Sequence, residues 1–264
     1  MEINCRDIAA KIEERATVQG TPHLAIIATP EADDASHVYM RNKIRAAERC
    51  GIQASVITCD SEAAILSTIS ALNADPITDG IIVQLPLPRT YNVPFIQSAI
   101  DPRKDVDGFH PNSHFDPCTP AGVLHLLHTL NYPLDGTLSV VIGRSDIVGK
   151  PLARLLTAEN STVTLCHSHT THSQLTNLCR DADYIFCAAG TPDLITADMV
   201  TPRTVCIDIS INRDATNHLC GDLSKEAQMI CAAYTPVPRG IGPITVAQLM
   251  YHTSLAHSLR AFEN

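Results

Sequence analysis

Short runs rich in β-branched residues alternate along this chain with longer amphipathic stretches, and this alternation constrains the fold more than any other feature. It is typical of a parallel sheet that is covered by helices. The pattern predicts strands at 23–28, 54–58, 80–85, 138–143, 162–166, 183–188 and 204–209. It predicts helices at 36–50, 61–72, 119–130, 151–157 and 245–262. We therefore expect an α/β fold.

The segment 101–120 interrupts this alternation. It contains several prolines together with Asp, Asn and Ser residues, so we do not expect it to form a regular element. Three βα units precede the segment and a second βαβ set follows it. We therefore expect two α/β lobes that divide near residue 130, with the ligand site in a cleft between them.

Charge and composition limit the partners of the protein. The 264 residues include 19 basic and 28 acidic side chains, for a formal net charge of −9, and no Trp. Such a chain lacks the basic surface and the stacking aromatic rings that nucleic-acid binding uses. It has no apolar stretch of about 18 residues to span a membrane, and its first residues lack the apolar run of a signal peptide. We expect a cytoplasmic protein that binds neither nucleic acid nor membrane.

Cysteine and histidine are frequent, with ten and twelve copies. None of the cysteines forms a CxxC pair, and no HExxH motif is present. The cysteines are therefore interpreted as reduced, buried thiols, and no metal site is expected.

A glycine-containing turn follows the predicted strand 138–143. In GRSDIVGKP, Gly143 allows a tight turn, Gly149 allows close backbone approach, and Pro151 suits the first turn of a helix. The amides at that helix N-terminus could bind a pyrophosphate. The spacing differs from GxGxxG, so an ordinary βα turn remains an alternative.

The end of the next strand, 162–166, distinguishes between nicotinamide cofactors. An NAD site usually places a carboxylate there to bind the ribose hydroxyls, but here His167 and Ser168 follow the strand. Arg144 and Ser168 could instead hold a 2′-phosphate, which predicts NADP. The alternative is that Arg144 only points into solvent.

Polar residues that could handle protons occur in the first half of the chain. Tyr39 and Lys43 share one face of a predicted helix, where partial burial can lower the pKa of a lysine, although an exposed pair is the simpler interpretation. Gln84 ends a predicted strand, at the edge where α/β sheets bind ligands, or else caps a loop. Asp105 and Asp107, in KDVDG, could act as acid and base, bind an NH-rich heterocycle, or simply form a turn.

The proline- and glycine-rich run 234–245 precedes the last predicted helix, and it either lines a ligand or returns the chain to the first lobe.

Six segments, in this order, resemble the bifunctional methylenetetrahydrofolate dehydrogenase/methenyltetrahydrofolate cyclohydrolase family. The combination of VQLPLP, KDVDGFHP and GRSxIVGxP is very specific, and the matching runs span most of the chain. They are SHVYMRNKIRAA (36–47), DGIIVQLPLP (79–88), DPRKDVDGFHP (101–111), PCTPAG (117–122), VVIGRSDIVGKP (140–151) and TPVPRGIGPIT (235–245).

The resemblance implies a folate-binding, catalytic domain of residues 1–132 and 246–264 and a Rossmann-like NADP domain of residues 133–245. It also implies a homodimer that works in one-carbon metabolism and purine biosynthesis. In such enzymes NADP takes a hydride from methylene-tetrahydrofolate, and water then opens the methenyl cation to formyl-tetrahydrofolate.

The resemblance also implies roles for individual residues. Lys43 would be the general acid/base group of the cyclohydrolase step, and Tyr39 would stack on the folate. Gln84 would hydrogen-bond the lysine, and Asp107 would bind the pterin ring. The implied substrate contacts further include Leu85, Gly242 and Pro243. The implied NADP contacts are Gly143, Arg144, Ser145, Ile147, Val148, Gly149, Ser168 and Ile211.

The sequence departs from the family pattern at several positions. Ser210 and Arg239 stand where the family has glycine, and a side chain there either obstructs the backbone or requires a disfavoured φ. The other departures are Ala28 and Thr29, His169, and a short loop at 112–116. They keep open two alternatives: a dehydrogenase without cyclohydrolase activity, and a binding module without turnover.

Overall fold

A computed structural model describes residues 1–30 and 34–263. The helices are α1 (Cys5–Arg15), α2 (Asp34–Arg49), α3 (Glu62–Ala74), α4 (Val93–Ser98), α5 (Cys118–Thr129), α6 (Gly149–Ala158), α7 (His172–Asp181), α8 (Lys225–Ile230) and α9 (Ile241–Glu263). The strands are β1 (His23–Ala28), β2 (Gln53–Thr58), β3 (Gly80–Val83), β4 (Leu138–Ile142), β5 (Thr162–Cys166), β6 (Tyr184–Cys187), β7 (Val205–Asp208), β8 (Asn212–Arg213), β9 (Leu219–Cys220) and β10 (Ala233–Tyr234).

The described residues form two compact α/β units. The first unit contains residues 9–118 and 246–264, and the second contains residues 1–8 and 119–245. The α/β fold with two lobes is therefore confirmed. The units differ from the expected lobes because residues 1–8 and α5 belong with the second one.

The first unit is built on a parallel sheet in the order β2-β1-β3. Side chains of successive strand residues point to opposite faces, so the apolar run of β1 can be covered on both sides. On one face Ile26 and Ile82 pack with apolar residues of α2 and α9. On the other face Ile27 and Ile81 pack with residues of α3 and α4. The unbroken burial from Leu24 onward explains why a continuous apolar run predicted this strand correctly.

The second unit is built on a parallel sheet in the order β10-β7-β6-β4-β5, with a small antiparallel hairpin of β8 and β9 beside it. This arrangement is the Rossmann-like architecture expected from the sequence. Val140 and Ile142 of β4 pack with Leu175 and Cys179 of α7. All ten cysteines are free thiols, and nine of them are buried.

Several elements differ from the prediction. Helices α1, α4, α7 and α8 were not predicted, and α9 begins at Ile241, four residues before the expected start. Gly242 and Pro243 thus lie in the first turn of a helix, where proline is tolerated because its missing N–H has no partner there in any case. Strand β3 ends at Val83, two residues early, because the chain enters a proline-containing turn at Pro86. Across the two described ranges, none of the helices is long and apolar enough to cross a membrane.

Candidate active site

Lys43 and Gln84 lie together in the first unit. The Lys43 side chain extends from α2 and is buried, with 7% of its surface exposed. Its Nζ donates a hydrogen bond of 3.0 Å to Oε1 of Gln84, which directly follows β3. The Gln84 amide nitrogen donates in turn to the carbonyl of Leu85 at 2.7 Å, so Oε1 is the atom directed at the lysine. Lys43 is buried and Gln84 is half-buried, and a polar contact at this edge suits a ligand site.

Asp107 interacts electrostatically with both Lys43 and Tyr39. Burial raises the pKa of the Asp107 carboxyl, against the opposing effects of the Lys43 charge and a hydrogen bond to Cys118. Burial and, secondarily, the negative charge of Asp107 raise the pKa of the Tyr39 phenol. The structure therefore brings together all four residues to which the sequence assigned proton transfer and pterin binding.

Asp105 has a different role from Asp107. Its carboxyl is buried, and Oδ2 accepts a 2.7 Å hydrogen bond from the backbone N–H of His110. Its carbonyl oxygen accepts a hydrogen bond from the hydroxyl of Ser113 at 3.0 Å. Asp105 thus stabilises the loop in which it lies through hydrogen bonds, whereas Asp107 interacts electrostatically with Lys43 and Tyr39. The two carboxylates, which the spacing did not distinguish, therefore have different surroundings in the structure.

Lys104, the basic residue of KDVDG, was not assigned a role from the sequence. Its Nζ donates to the carbonyl oxygens of Leu72, Asn73 and Asp75 at 2.8, 2.9 and 2.7 Å. These carbonyls lie at the C-terminal end of α3, where backbone acceptors lack helical partners and attract a cation. The lysine thus anchors the loop that carries Asp107.

In the second unit, the turn between β4 and α6 depends on two glycines. A Cβ atom at Gly143, whose φ is 120°, would collide with the carbonyl oxygen of Ala188. A Cβ atom at Gly149 would collide with the carbonyl oxygen of Gly143. The Ser145 hydroxyl accepts hydrogen bonds from the amides of Val148 and Gly149, at 3.2 and 3.4 Å. The amides of Val148 and Gly149 thus bond Ser145 within the turn.

Arg144 and Ser168 follow neighbouring strands. Strands β4 and β5 pair in parallel, with Ile142 opposite Cys166, so both residues lie at the same carboxyl edge of the sheet. Both side chains are exposed, and no carboxylate follows β5. Ile147 and Ile211 are also exposed at turns that follow strands of this sheet. An exposed arginine and serine without a neighbouring carboxylate suit a nucleotide with a phosphate on its 2′-hydroxyl.

The two replaced glycines behave differently. Ser210 is buried, and its hydroxyl donates to Oδ2 of Asp222 at 2.7 Å, so the side chain does not project from the edge. Arg239 adopts φ of 75°, in the left-handed region that favours glycine. The strain expected from a former glycine therefore applies to Arg239 alone.

A buried carboxylate pair, Asp208 and Asp222, was missed from the sequence. Asp222 accepts hydrogen bonds from the amides of Ala189, Gly190 and Thr191 and thus holds the loop that follows β6. Asp208, at the end of β7, accepts from the amide of Leu223 at 2.8 Å. An acid inside a predicted buried strand, one residue before its end, was the available signal. In the described residues, no group of three or more His, Cys, Asp or Glu could hold a metal ion.

Comparisons with known proteins cover both units. Residues 3–107 match the model for the tetrahydrofolate dehydrogenase/cyclohydrolase catalytic domain, and residues 117–261 match the model for the NAD(P)-binding domain. The bifunctional protein FolD of Desulfovibrio desulfuricans is 46% identical, over 94% of this chain and 93% of that protein. The bifunctional protein FolD of Streptococcus thermophilus is 40% identical, over 96% and 92%.

Two solved structures have the same fold over nearly their whole length. The bifunctional FolD enzyme of Campylobacter jejuni superposes with a TM-score of 0.93 at 34% identity, covering 98% of this chain and 99% of that one. The FolD enzyme of Trypanosoma brucei, solved with NADP and an inhibitor, gives a TM-score of 0.92 at 30% identity, covering 100% and 99%.

Proposed function

The chain belongs to the tetrahydrofolate dehydrogenase/cyclohydrolase family, and we propose that Lys43, Gln84, Tyr39 and Asp107 form its substrate site. The protein is an NADP-dependent methylenetetrahydrofolate dehydrogenase and methenyltetrahydrofolate cyclohydrolase. It oxidises methylene-tetrahydrofolate to methenyl-tetrahydrofolate and hydrolyses the latter to formyl-tetrahydrofolate. The observation that carries the residue assignment is the 3.0 Å hydrogen bond from Nζ of the buried Lys43 to Oε1 of Gln84.

In the hydrolytic step, water adds to the methenyl carbon and loses a proton. The bond from that carbon to one folate nitrogen then breaks as the nitrogen gains a proton. Lys43 takes the first proton and supplies the second. Gln84 accepts a hydrogen bond from Nζ and fixes its direction, so that one group performs both transfers.

Hydride transfer requires mainly that two rings be held in contact, and NADP supplies the hydride acceptor when it is bound. Asp107 binds the NH groups of the pterin, and Tyr39 stacks on the folate, with Leu85, Gly242 and Pro243 as further contacts. We assign NADP binding to the edge of the second sheet. The contacts there are Gly143, Arg144, Ser145, Ile147, Val148, Gly149, Ser168 and Ile211.

Replacing Lys43 with Met tests the assignment. We expect cyclohydrolase activity to fall by at least about a hundredfold, because a general acid/base group contributes roughly that much or more. The dehydrogenase step should persist, so methenyl-tetrahydrofolate accumulates and can be resolved from the formyl product. Lys11, which is exposed on α1, provides a control: Lys11→Met should leave both activities unchanged. Full cyclohydrolase activity in Lys43→Met would remove this lysine from the mechanism.

We further propose that the protein is a cytoplasmic homodimer that binds neither nucleic acid nor membrane. The formal charge of −9 and the family membership support this assignment. The domain division of 1–132 with 246–264, and 133–245, likewise stays a proposal.

A further inference from the structure

Two buried polar residues of α9 contact the loop that carries Asp107. Gln248 and His252 are four residues apart and therefore neighbours on one helix face, and each has 5% of its surface exposed. Nδ1 of His252 lies 3.0 Å from the carbonyl oxygen of Val106, the residue before Asp107. Nε2 of His252 lies 2.9 Å from Nε2 of Gln248. The imidazole thus connects the last helix to the Asp107 loop.

The partners of His252 determine its proton arrangement. A carbonyl oxygen can only accept, so Nδ1 must carry the hydrogen that is donated to Val106. Nε2 then has a free lone pair and accepts from the Gln248 amide. Burial lowers the pKa of His252 to about 4, so the ring is neutral near pH 7. The Val106 carbonyl therefore selects the tautomer, and the Gln248 amide supports it by donating to Nε2.

Holding the Val106 carbonyl restricts Asp107 directly. The peptide unit is planar, so the Val106 carbonyl and the Asp107 N–H move together. The Asp107 carbonyl is held as well, because it accepts a 3.2 Å hydrogen bond from the Cys118 N–H. The next residue, Gly108, adopts φ of 78°, and a Cβ atom there would overlap backbone atoms of Asp116. Both peptide groups that flank Asp107 are thus fixed, the preceding one by His252 together with the Cys118 thiol, whose Sγ lies 3.2 Å from the same Val106 carbonyl oxygen.

We propose that His252, supported by Gln248, is a positioning residue that fixes the Asp107 carboxyl for recognition of the pterin. This inference rests on the proposed function, in which Asp107 binds the substrate. It assigns the last helix a role in folate affinity beyond its packing in the core. A solely structural hydrogen bond would affect the stability of the fold and leave the folate affinity of the folded protein unchanged.

His252→Phe and His252→Asn separate the two roles. Phenylalanine fills the site without a donor, so we expect the Kd for tetrahydrofolate, measured by titration calorimetry, to rise about fivefold to tenfold. Asparagine places an amide N–H near the position of Nδ1 and should keep the Kd within about twofold. The Kd for NADP should be unchanged in both variants. Equal folate affinity in His252→Phe and the natural protein would overturn the inference.

Gln248→Leu provides a second variant that should fold well. Oε1 of Gln248 is buried and has no hydrogen-bond partner among the described residues, so leucine removes an unsatisfied oxygen. The donor to His252 Nε2 is lost at the same time, so we expect stability to change little, while folate affinity falls about threefold because the imidazole loses the contact that holds it in place. As a matched control, Thr253→Val removes a buried hydroxyl that donates within α9, to the carbonyl of Leu249. It should lower stability without changing folate affinity.

A double-mutant cycle with Asp107→Asn distinguishes failure of the inference from failure of the proposed function. If His252 acts through Asp107, His252→Phe should cause no further loss of folate affinity in the Asp107→Asn background. Additive losses would show that His252 acts by another route. Unchanged folate affinity in Asp107→Asn alone would instead contradict the proposed role of Asp107.

Discussion

The Asp208 carboxyl should make the protein less stable as pH rises from about 4 to about 7. It lies at the end of β7 with 2% of its surface exposed. Burial raises its pKa from 3.8 to about 7, and the nearby Asp222 charge adds to this effect. Hydrogen bonds from the N–H groups of Leu223 and Ser210 act in the opposite direction. Replacing Asp208 with Asn removes the titrating group at nearly constant size.

The size of the effect follows from the difference in pKa. Asp208 changes from 3.8 in the unfolded chain to about 7 in the fold, a difference of about 3 pH units. Each unit corresponds to about 1.4 kcal/mol, so the total is about 4 kcal/mol. Between the two values the folded protein keeps the proton that the unfolded chain has lost. The contribution to stability is therefore complete below pH 4, declines up to about pH 7, and is absent above it.

Urea unfolding of the natural protein and of Asp208→Asn, at half-unit steps from pH 4 to pH 8, measures this contribution. The difference in unfolding free energy should change by up to about 1.4 kcal/mol per pH unit below pH 7 and become constant above it. Thr235→Val is the matched control, because the Thr235 hydroxyl accepts from the Asp208 N–H at 2.7 Å. It should destabilise by about 1 kcal/mol and keep the pH slope. A pH-independent difference for Asp208→Asn would refute the reasoning.

Two further expectations concern Arg239 and the assembly. Arg239→Gly should raise the free energy of unfolding by about 0.5 to 1 kcal/mol, because relief of the left-handed conformation exceeds the entropy that glycine adds to the unfolded chain. The matched Asn160→Gly, at φ of 62°, should gain less, since asparagine tolerates this region; equal gains in urea unfolding would contradict the strain argument. Sedimentation equilibrium should give the mass of two chains, and the mass of one chain at micromolar concentration would contradict the homodimer.

The sequence predicted elements best where an uninterrupted apolar or β-branched run determines them. Strands β1 and β5 have the predicted bounds, because each is a continuous apolar or β-branched run with turn residues on both sides. Helix α7 was missed, since its first turn consists of polar residues and its start depends on a capping box between Thr171 and Gln174. The early start of α9 was missed for a related reason, because Gly242 and Pro243 are typical of loops but are compatible with a first helical turn.

In the candidate site, too, local spacing predicted the positions of residues, but contacts between residues far apart in the chain could not be predicted. Tyr39 and Lys43 could be placed on one helix face from their spacing, and the edge position of Gln84 follows from the end of a strand. The spacing could not separate Asp105 from Asp107, because the separation depends on which carboxyl turns back onto the His110 amide. The contact between His252 and Val106 joins residues 146 positions apart, and no local pattern indicates it.

At the two positions where the family has glycine, Ser210 and Arg239, the side chain has two separate physical effects. A side chain in place of glycine adds volume, and it also restricts the backbone. Ser210 lacks a positive φ, and its hydroxyl bonds Asp222 and the Gly190 amide, so neither part is unfavourable there. Arg239 has the unfavourable backbone, and both residues belong to the second unit. We therefore expect Ser210 and Arg239 to affect stability and cofactor affinity. The contact of Lys43 with Gln84 lies within the first unit and keeps the geometry that proton transfer requires.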